Sequence, residues 1–311
     1  MEHTAKDLGD GGALTRRHAV FGLFWMASLI VFWKAISTLV VYSLHHESSS
    51  HIVLIPLVSA YLLFTERKQI VLAARPSGIA GIGFVVIGAL LYWLTIRGSL
   101  PQQGNVPLSA AALALVLVWI GGFLWSYGWA SARAAAFPLL FLLLMIPLPD
   151  RALSFVIHLL QQGSTEVAYL LFRMVGVPVL KQGFLLSVPT VTIEVATECS
   201  GIRSSVALFI TCLLAAHFYL RTPWKVLVFL LLVFPLTVIK NGVRIVTLTL
   251  LSIYVDPSFL YGNLHRDGGF VFFGLALLLL LPVLLVLGRS ERGRVLQKPC
   301  AVNSGPLSER V

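Results

Sequence analysis

The sequence predicts an all-α polytopic membrane protein with about eight transmembrane helices. Of its 311 residues, 58% are hydrophobic and only 12% are charged, and the mean hydropathy is +0.89. These values lie far outside the range of a soluble domain. A helix crosses a bilayer with about 20 apolar residues, and eight apolar runs are candidates for such helices: 19–42, 52–64, 79–96, 106–127, 134–148, 202–220, 224–255 and 270–287.

The eight runs differ in length and purity. We expect the first to be retained as a helix, because it is long and lacks the small-residue cleavage site of a signal peptide. The second and fifth are short and need flanking residues to cross. The seventh is too long for one plain crossing and carries Lys240, Asn241 and Arg244.

The positive residues predict that both termini lie in the cytoplasm. With that orientation most of the short loops rich in Lys and Arg face inward, whereas residues 45–51 contain neither and Arg97 stands alone in its loop. The net charge of +10 therefore indicates topology rather than nucleic-acid binding. We predict a cytoplasmic tail at 1–18, a transmembrane domain at 19–288 and a basic cytoplasmic tail at 289–311.

The longest segment on the outer side is expected between the fifth and sixth helices, at 149–200. Within it, residues 153–175 have the pattern of an amphipathic helix that lies in the membrane interface. Residues 188–195 are rich in β-branched side chains and partly alternate, which predicts a short strand or hairpin. This cap segment leads directly to Cys199.

Cys199 is the first candidate functional residue. It stands between Glu198 and Ser200-Gly201, where the sixth apolar run begins. A helix N-terminus favours thiolate over thiol. If the helix already includes Cys199, Arg203 lies on the same face and acts in the same direction, whereas the charge of Glu198 opposes both.

Two further polar groups interrupt the apolar pattern near the same membrane face. Asn241 and Arg244 share a face of the seventh run, and His265 precedes Gly268 and Gly269 before the eighth. Ionisable groups in such places are usually functional, although His265 alone also suits an ordinary interfacial histidine and Arg244 alone a side chain that extends to the surface. The predicted topology brings Cys199, Arg244 and His265 to one face.

The other polar clusters and cysteines have simpler explanations. Cys212 is predicted to be an apolar filler inside a helix, and Cys300 falls in the polar tail, so no disulfide is expected. The outer loop with His45, His46 and His51 has the ligand spacing of no familiar metal site. We predict neither a metal nor a cofactor.

The motifs together resemble those of the exosortase/archaeosortase family of multipass membrane proteins. The resemblance covers about residues 45 to 288 and is carried by Glu198-Cys199-Ser200-Gly201-Ile202-Arg203, by Asn241-x-x-Arg244, and by His265 with the following Gly268, Gly269 and Phe272. Phe137-Pro138 and Ile146-Pro147-Leu148-Pro149 look similar too. It implies a cysteine transpeptidase in a bacterial inner membrane that cleaves a C-terminal sorting signal of exported proteins, made of a short Pro-Glu-Pro-type motif, a transmembrane helix and a basic tail.

Carried over residue by residue, the resemblance implies that Cys199 is the nucleophile, Arg244 the arginine of the second motif and His265 the histidine of the third. Cysteine thiolates attack carbonyl carbons to form thioesters, histidine transfers the protons, and arginine stabilises the oxyanion. The residues alone leave two alternatives open. One is a transporter or flippase with Lys240, Asn241 and Arg244 in a polar pathway, and the other is an assembly factor without chemistry.

Overall fold

The computed structural model describes residues 2–74, 78–197, 200–261 and 269–295, and it confirms an all-α polytopic membrane protein. The chain divides into two compact units, Met1–Ile157 and His158–Val311. Within the described ranges, six helices are long and apolar enough to cross a bilayer, and the number rises to eight if each of two bent helix pairs is one crossing.

The described part of the first unit consists of helices and short 3-10 turns. Its elements are α1 (Glu2–Val31), α2 (Trp33–His45), a 3-10 turn (Glu47–Ser49), α3 (Leu54–Thr65), α4 (Arg67–Leu72), α5 (Gly78–Ile96), α6 (Val106–Ala134), α7 (Ala136–Phe141) and a second 3-10 turn (Leu142–Met145). A bend of 70° separates α1 from α2, so the first apolar run forms a broken helix. Helix α1 extends back to Glu2 and includes most of the predicted tail.

Helices α5 and α6 pack closely because glycines face each other along their contact. A Cβ atom at Gly81 would lie 2.5 Å from the backbone nitrogen of Trp125, and one at Gly121 would lie 2.8 Å from the carbonyl oxygen of Gly81. Only glycine allows two helix backbones to approach this closely. The adjacent core contains Ile70, Phe123, Leu124, Tyr127, Ala132, Ala135 and Leu139.

The fifth apolar run, 134–148, is a bent pair rather than a straight helix. The short α7 and its 3-10 turn stop before Pro147, and α8 (Asp150–Met174) continues after a bend of 92°. Proline lacks the backbone N–H and restricts the preceding residue, so two prolines in this stretch break the helix. The Asp150 carboxylate accepts the N–H of Asn105 at 3.0 Å, while the Asn105 amide oxygen accepts the N–H of Asp150 at 2.9 Å.

The predicted strand before Cys199 is the last of a three-stranded antiparallel sheet. Strands β1 (Leu180–Gln182), β2 (Leu185–Val188) and β3 (Val191–Glu194) follow one another as two hairpins. The sheet packs through Leu186, Val188 and Val195 onto α8 and the seventh apolar run, in a core with Ala168, Phe172 and Val246. The β-branched pattern predicted this element correctly.

Three long helices complete the second unit: α9 (Ile202–Tyr219), α10 (Pro223–Tyr254) and α12 (Gly269–Val295), with the short α11 (Ser258–Tyr261) between the last two. Helix α10 is continuous over 32 residues although Pro235 lies inside it. The core between these helices includes Cys212, which is only 2% exposed and fills apolar space as predicted.

The beginning of α10 and the end of α12 are joined by polar contacts. The Glu291 carboxylate accepts the backbone N–H groups of Arg221 and Thr222, each at 2.9 Å. The Lys225 ammonium donates to the Ser290 hydroxyl at 2.7 Å and to the Leu287 carbonyl at 3.1 Å. Glu291 thus satisfies N–H groups that a helix N-terminus otherwise leaves without partners.

Candidate active site

The chain enters α9 through a sharp turn at Gly201. Gly201 has a φ angle of +74°, in the left-handed region that glycine adopts without strain. Its carbonyl accepts the backbone N–H of Ser205 at 2.9 Å and the Ser205 hydroxyl at 2.6 Å. Helix α9 begins at Ile202, directly after this turn, so Arg203 lies in its first turn.

The turn at Gly201 lies against the polar part of α10. The position of a Cβ atom at Gly201 is 3.0 Å from the amide oxygen of Asn241. One turn into α9, the Ser204 hydroxyl accepts a hydrogen bond of 2.5 Å from the Lys240 ammonium. Lys240 and Asn241 are 6% and 1% exposed. The segment that follows Cys199 is thereby joined to α10 at two points.

Arg244 lies on α10 one turn beyond Asn241 and Lys240. Residues three and four apart share one face of a helix, so Arg244 belongs to the face against which the Gly201 turn packs. Its side chain is half-buried. Two basic residues, Lys240 and Arg244, thus stand one turn apart on α10, and Lys240 contacts the first turn of α9 through Ser204.

The segment that precedes Cys199 is also fixed. Val195 is 1% exposed, and its backbone N–H donates to the carbonyl of Phe184 at 3.0 Å. Its carbonyl accepts the side-chain amide of Gln161, on α8, at 2.9 Å. Further along, the Ser200 N–H donates to the Thr197 carbonyl at 3.2 Å. The hairpin therefore delivers the chain to the α9 turn at a defined place.

The predicted site residues fall into two groups: those that the structure describes and those that lie outside the described residues. Ser200, Gly201 and Asn241 are buried, and the structure joins Gly201 to Asn241 directly. Arg203 is exposed in the first turn of α9, and Arg244 lies on α10 as described.

Three predicted residues, Glu198, Cys199 and His265, lie outside the described residues. The chain approaches the last of these through the turn after α10, where the Ser258 hydroxyl and backbone N–H bind the Asp256 carboxyl and lower its pKa below the usual range. The roles of Cys199 and His265 remain predictions.

Sequence reasoning missed two polar residues of α8 that contact this region. Ser164 is fully buried and its hydroxyl accepts the Asn241 side-chain amide at 3.0 Å. Gln161 is 7% exposed and binds Val195. Their spacing of three residues places them on one helix face, but polar residues of an amphipathic helix are usually solvated, which hid them.

The chain matches one family model over most of its length. The model describes transmembrane exosortases and covers residues 33–282, which is 250 of the 311 residues. The chain belongs to the transmembrane exosortase family. Exosortases are membrane sorting transpeptidases, and the matched range contains every residue of the predicted site.

Two other comparisons gave no match. No curated protein and no solved structure is significantly similar to this exosortase.

Proposed function

We propose that this exosortase is a cysteine transpeptidase or protease that cleaves a C-terminal sorting signal of exported proteins through a thioester on Cys199. The observation that carries the proposal is the close approach of Gly201 to Asn241, whose amide oxygen lies 3.0 Å from the position that a Cβ atom on Gly201 would take. It joins the residues directly after Cys199 to the helix face with Arg244, although more than 40 residues separate Cys199 from Arg244 in the sequence. This approach supports a site in which the nucleophile motif and the arginine motif act together.

The first half of the reaction forms the thioester. The Cys199 thiolate attacks the scissile carbonyl carbon, and the carbonyl electrons move to oxygen as the C–S bond forms. Arg244 stabilises this oxyanion with its planar guanidinium. The oxyanion collapses, the C–N bond breaks, and the protonated imidazole of His265 gives its proton to the leaving amine.

The second half releases the product. An amine acceptor attacks the thioester and the C–S bond breaks, which gives transpeptidation, whereas attack by water gives hydrolysis. His265 accepts the proton of the attacking group, and the Cys199 thiolate is regenerated. The acceptor nucleophile itself is a partner whose identity the residues leave open.

The described residues include basic side chains that suit this chemistry. A cation near a thiol favours the thiolate. Lys240 donates to Ser204 at the start of α9, and Arg244 lies one turn further along the same face of α10. Ser200 and Gly201 complete the turn, and Asn241 holds it in place. Glu198 and Arg203 flank the nucleophile on its two sides in the sequence, where their opposite charges adjust the local field.

The proposed placement in the cell follows the sequence-based topology. Eight crossings, counting each bent pair as one, put both termini in the cytoplasm of a bacterial inner membrane. The three-stranded sheet then lies in the outer cap, and the site faces the periplasm. The substrates are proteins with a short Pro-Glu-Pro-type motif, a transmembrane helix and a basic tail.

The transporter alternative has less support from the contacts. A polar pathway needs groups that face a cavity through the membrane depth. Lys240 donates to Ser204 and Asn241 donates to Ser164, so both residues serve contacts between neighbouring helices. No described contact favours transport over sorting chemistry.

The proposal is tested by co-expression with a tagged reporter that ends in a Pro-Glu-Pro motif, a transmembrane helix and a basic tail. We expect the wild type to shorten the reporter, Cys199→Ala to leave it intact, and Cys212→Ala to shorten it at the wild-type rate. Cys212→Ala is the matched control because it makes the same chemical change in the apolar core. Equal shortening by wild type and Cys199→Ala would remove Cys199 as the nucleophile.

A further inference from the structure

Helix α8 contacts the chain just before the Cys199 segment. The Gln161 side-chain amide donates to the Val195 carbonyl at 2.9 Å. Both residues are buried, with 7% and 1% of their surfaces exposed. Val195 stands four residues before Cys199. A buried carbonyl needs a partner, and here a side chain from another element supplies it, so Gln161 fixes the entry to the segment.

The same face of α8 contacts the chain just after the Cys199 segment, through one intermediary. Ser164 is fully buried, and its hydroxyl accepts the Asn241 side-chain amide at 3.0 Å. The amide oxygen of Asn241 in turn lies against Gly201, two residues after Cys199. Ser164 orients Asn241, and Asn241 limits where the Gly201 turn can sit.

The close packing of α8 on α10 keeps these contacts short. A Cβ atom at Gly163 would lie 2.8 Å from the side chain of Val238, and one at Gly242 would lie 2.5 Å from the side chain of Val167. Each glycine stands directly beside one of the two hydrogen-bonded residues. The two helices therefore meet at van der Waals distance, and α8 cannot move away without losing the Ser164 bond.

We propose that Gln161 and Ser164 are positioning residues that hold the two ends of the segment 196–200 and so set the position of Cys199 relative to Arg244. This inference rests on the proposed function. Gln161 acts through Val195 and Ser164 acts through Asn241, so both are assigned a positioning role rather than a catalytic one. A misplacement of about 1 Å at a reacting group costs about 100-fold in rate, so a loosened segment slows the reaction.

The test compares Gln161→Met and Ser164→Ala with two matched controls. Gln162→Met makes the same change at the exposed neighbouring position. Ser131→Ala removes a fully buried serine that donates to a backbone carbonyl at 2.7 Å in the first unit. Ser131→Ala therefore reports the effect of losing a buried serine hydrogen bond elsewhere in the fold.

Two quantities are measured for each variant. The first is the rate of reporter shortening per amount of folded, detergent-purified protein. The second is the pH midpoint of alkylation of Cys199 by iodoacetamide, in a background with Cys212→Ala and Cys300→Ala so that a single thiol remains. Normalisation to folded protein removes the effect of a reduced folded fraction from the rate. The midpoint reports the surroundings of the Cys199 thiol in the folded protein, so it distinguishes positioning from a merely structural role.

We expect Gln161→Met and Ser164→Ala each to slow shortening by about 10- to 100-fold. The alkylation midpoint should rise by about one pH unit, because a thiol that moves away from a cation loses stabilisation of its thiolate. Both controls should stay within about twofold of the wild-type rate and keep its midpoint. Ser164→Thr, which keeps the hydroxyl acceptor, should restore the wild-type midpoint.

The inference is overturned if Gln161→Met and Ser164→Ala match their controls in rate and midpoint while Cys199→Ala is inactive. That result would leave the proposed function intact. If Cys199→Ala shortens the reporter as fast as the wild type, the proposed function itself fails, whatever the midpoints show. The two failures are therefore distinguishable in one set of measurements.

Discussion

Replacement of Gly201 by alanine tests the turn on which the site depends. A residue with a side chain in the left-handed region costs about 1–2 kcal/mol, and Gly201 has a φ angle of +74°. The new Cβ atom would also lie 3.0 Å from the amide oxygen of Asn241. Asn241 is 1% exposed and bound to Ser164, so it has little room to move.

A matched substitution separates these two costs. Gly183 has a φ angle of +61° and nothing within 4 Å of its Cβ position. Gly183→Ala therefore introduces the backbone strain alone, about 1–2 kcal/mol. Gly201→Ala adds the displacement of Asn241, and the loss of one hydrogen bond is worth about 0.5–1.5 kcal/mol. We expect a total of about 1.5–3.5 kcal/mol for Gly201→Ala from the sum of the two terms.

The assay measures thermal unfolding of each purified variant together with reporter shortening. Gly201→Ala should unfold at a lower temperature than Gly183→Ala and should shorten the reporter about 10- to 100-fold more slowly than the wild type. Gly183→Ala should retain most of the activity. If Gly201→Ala unfolds and processes like Gly183→Ala, the contact with Asn241 does not position the turn and the reasoning is wrong.

Three further substitutions have defined outcomes. Arg244→Lys should lower the rate of shortening by about 10²–10³-fold, because the point charge of an ammonium does not replace the planar guanidinium at an oxyanion. The control Arg97→Lys, in an exposed loop, should leave the rate unchanged. A near-normal rate for Arg244→Lys would contradict the oxyanion role. Cys212→Ala should keep full activity and lose about 1 kcal/mol of stability through a small core cavity, as thermal unfolding measures; a loss of processing would contradict the filler role. Glu291→Gln should lower the unfolding temperature, because it weakens the cap of α10, which contributes about 0.5–2 kcal/mol. Processing should stay normal, because the cap lies about 35 Å along α10 from Arg244. Slowed processing at unchanged stability would refute this prediction.

The apolar runs predicted most of the helical architecture. In a membrane every backbone group must be satisfied within its own segment, so hydropathy and length together specify helices. The seventh run is a single helix despite its polar residues, because Lys240 and Asn241 find hydroxyl partners on neighbouring helices. Such partners lie far away in the sequence, so the run alone did not reveal that it is continuous.

The bend in the fifth apolar run could not be predicted in detail from local pattern. The bend of 92° after Met145 depends on Pro147 and Pro149 together with the reciprocal hydrogen bonds between Asn105 and Asp150. The hydropathy of the sequence does not reveal the bend, because the run remains apolar up to that point.

The candidate site was only partly accessible to sequence reasoning. Asn241 and Arg244 stand out as polar residues in an apolar run. Gln161 and Ser164 do not, because residues of their type are ordinary on the polar face of an amphipathic helix. Their importance arises from hydrogen bonds to residues 34 and 77 positions away, and only tertiary structure places these groups together.

The most direct test of the central claim is to trap the thioester on Cys199. The wild-type exosortase is mixed with the reporter, quenched in acid, and examined by mass spectrometry for a peptide that carries reporter sequence on Cys199 and is released by hydroxylamine. The account predicts this adduct in the wild type and its absence in Cys199→Ala, which also fails to shorten the reporter. Shortening by Cys199→Ala at the wild-type rate, with no adduct in either protein, would contradict it.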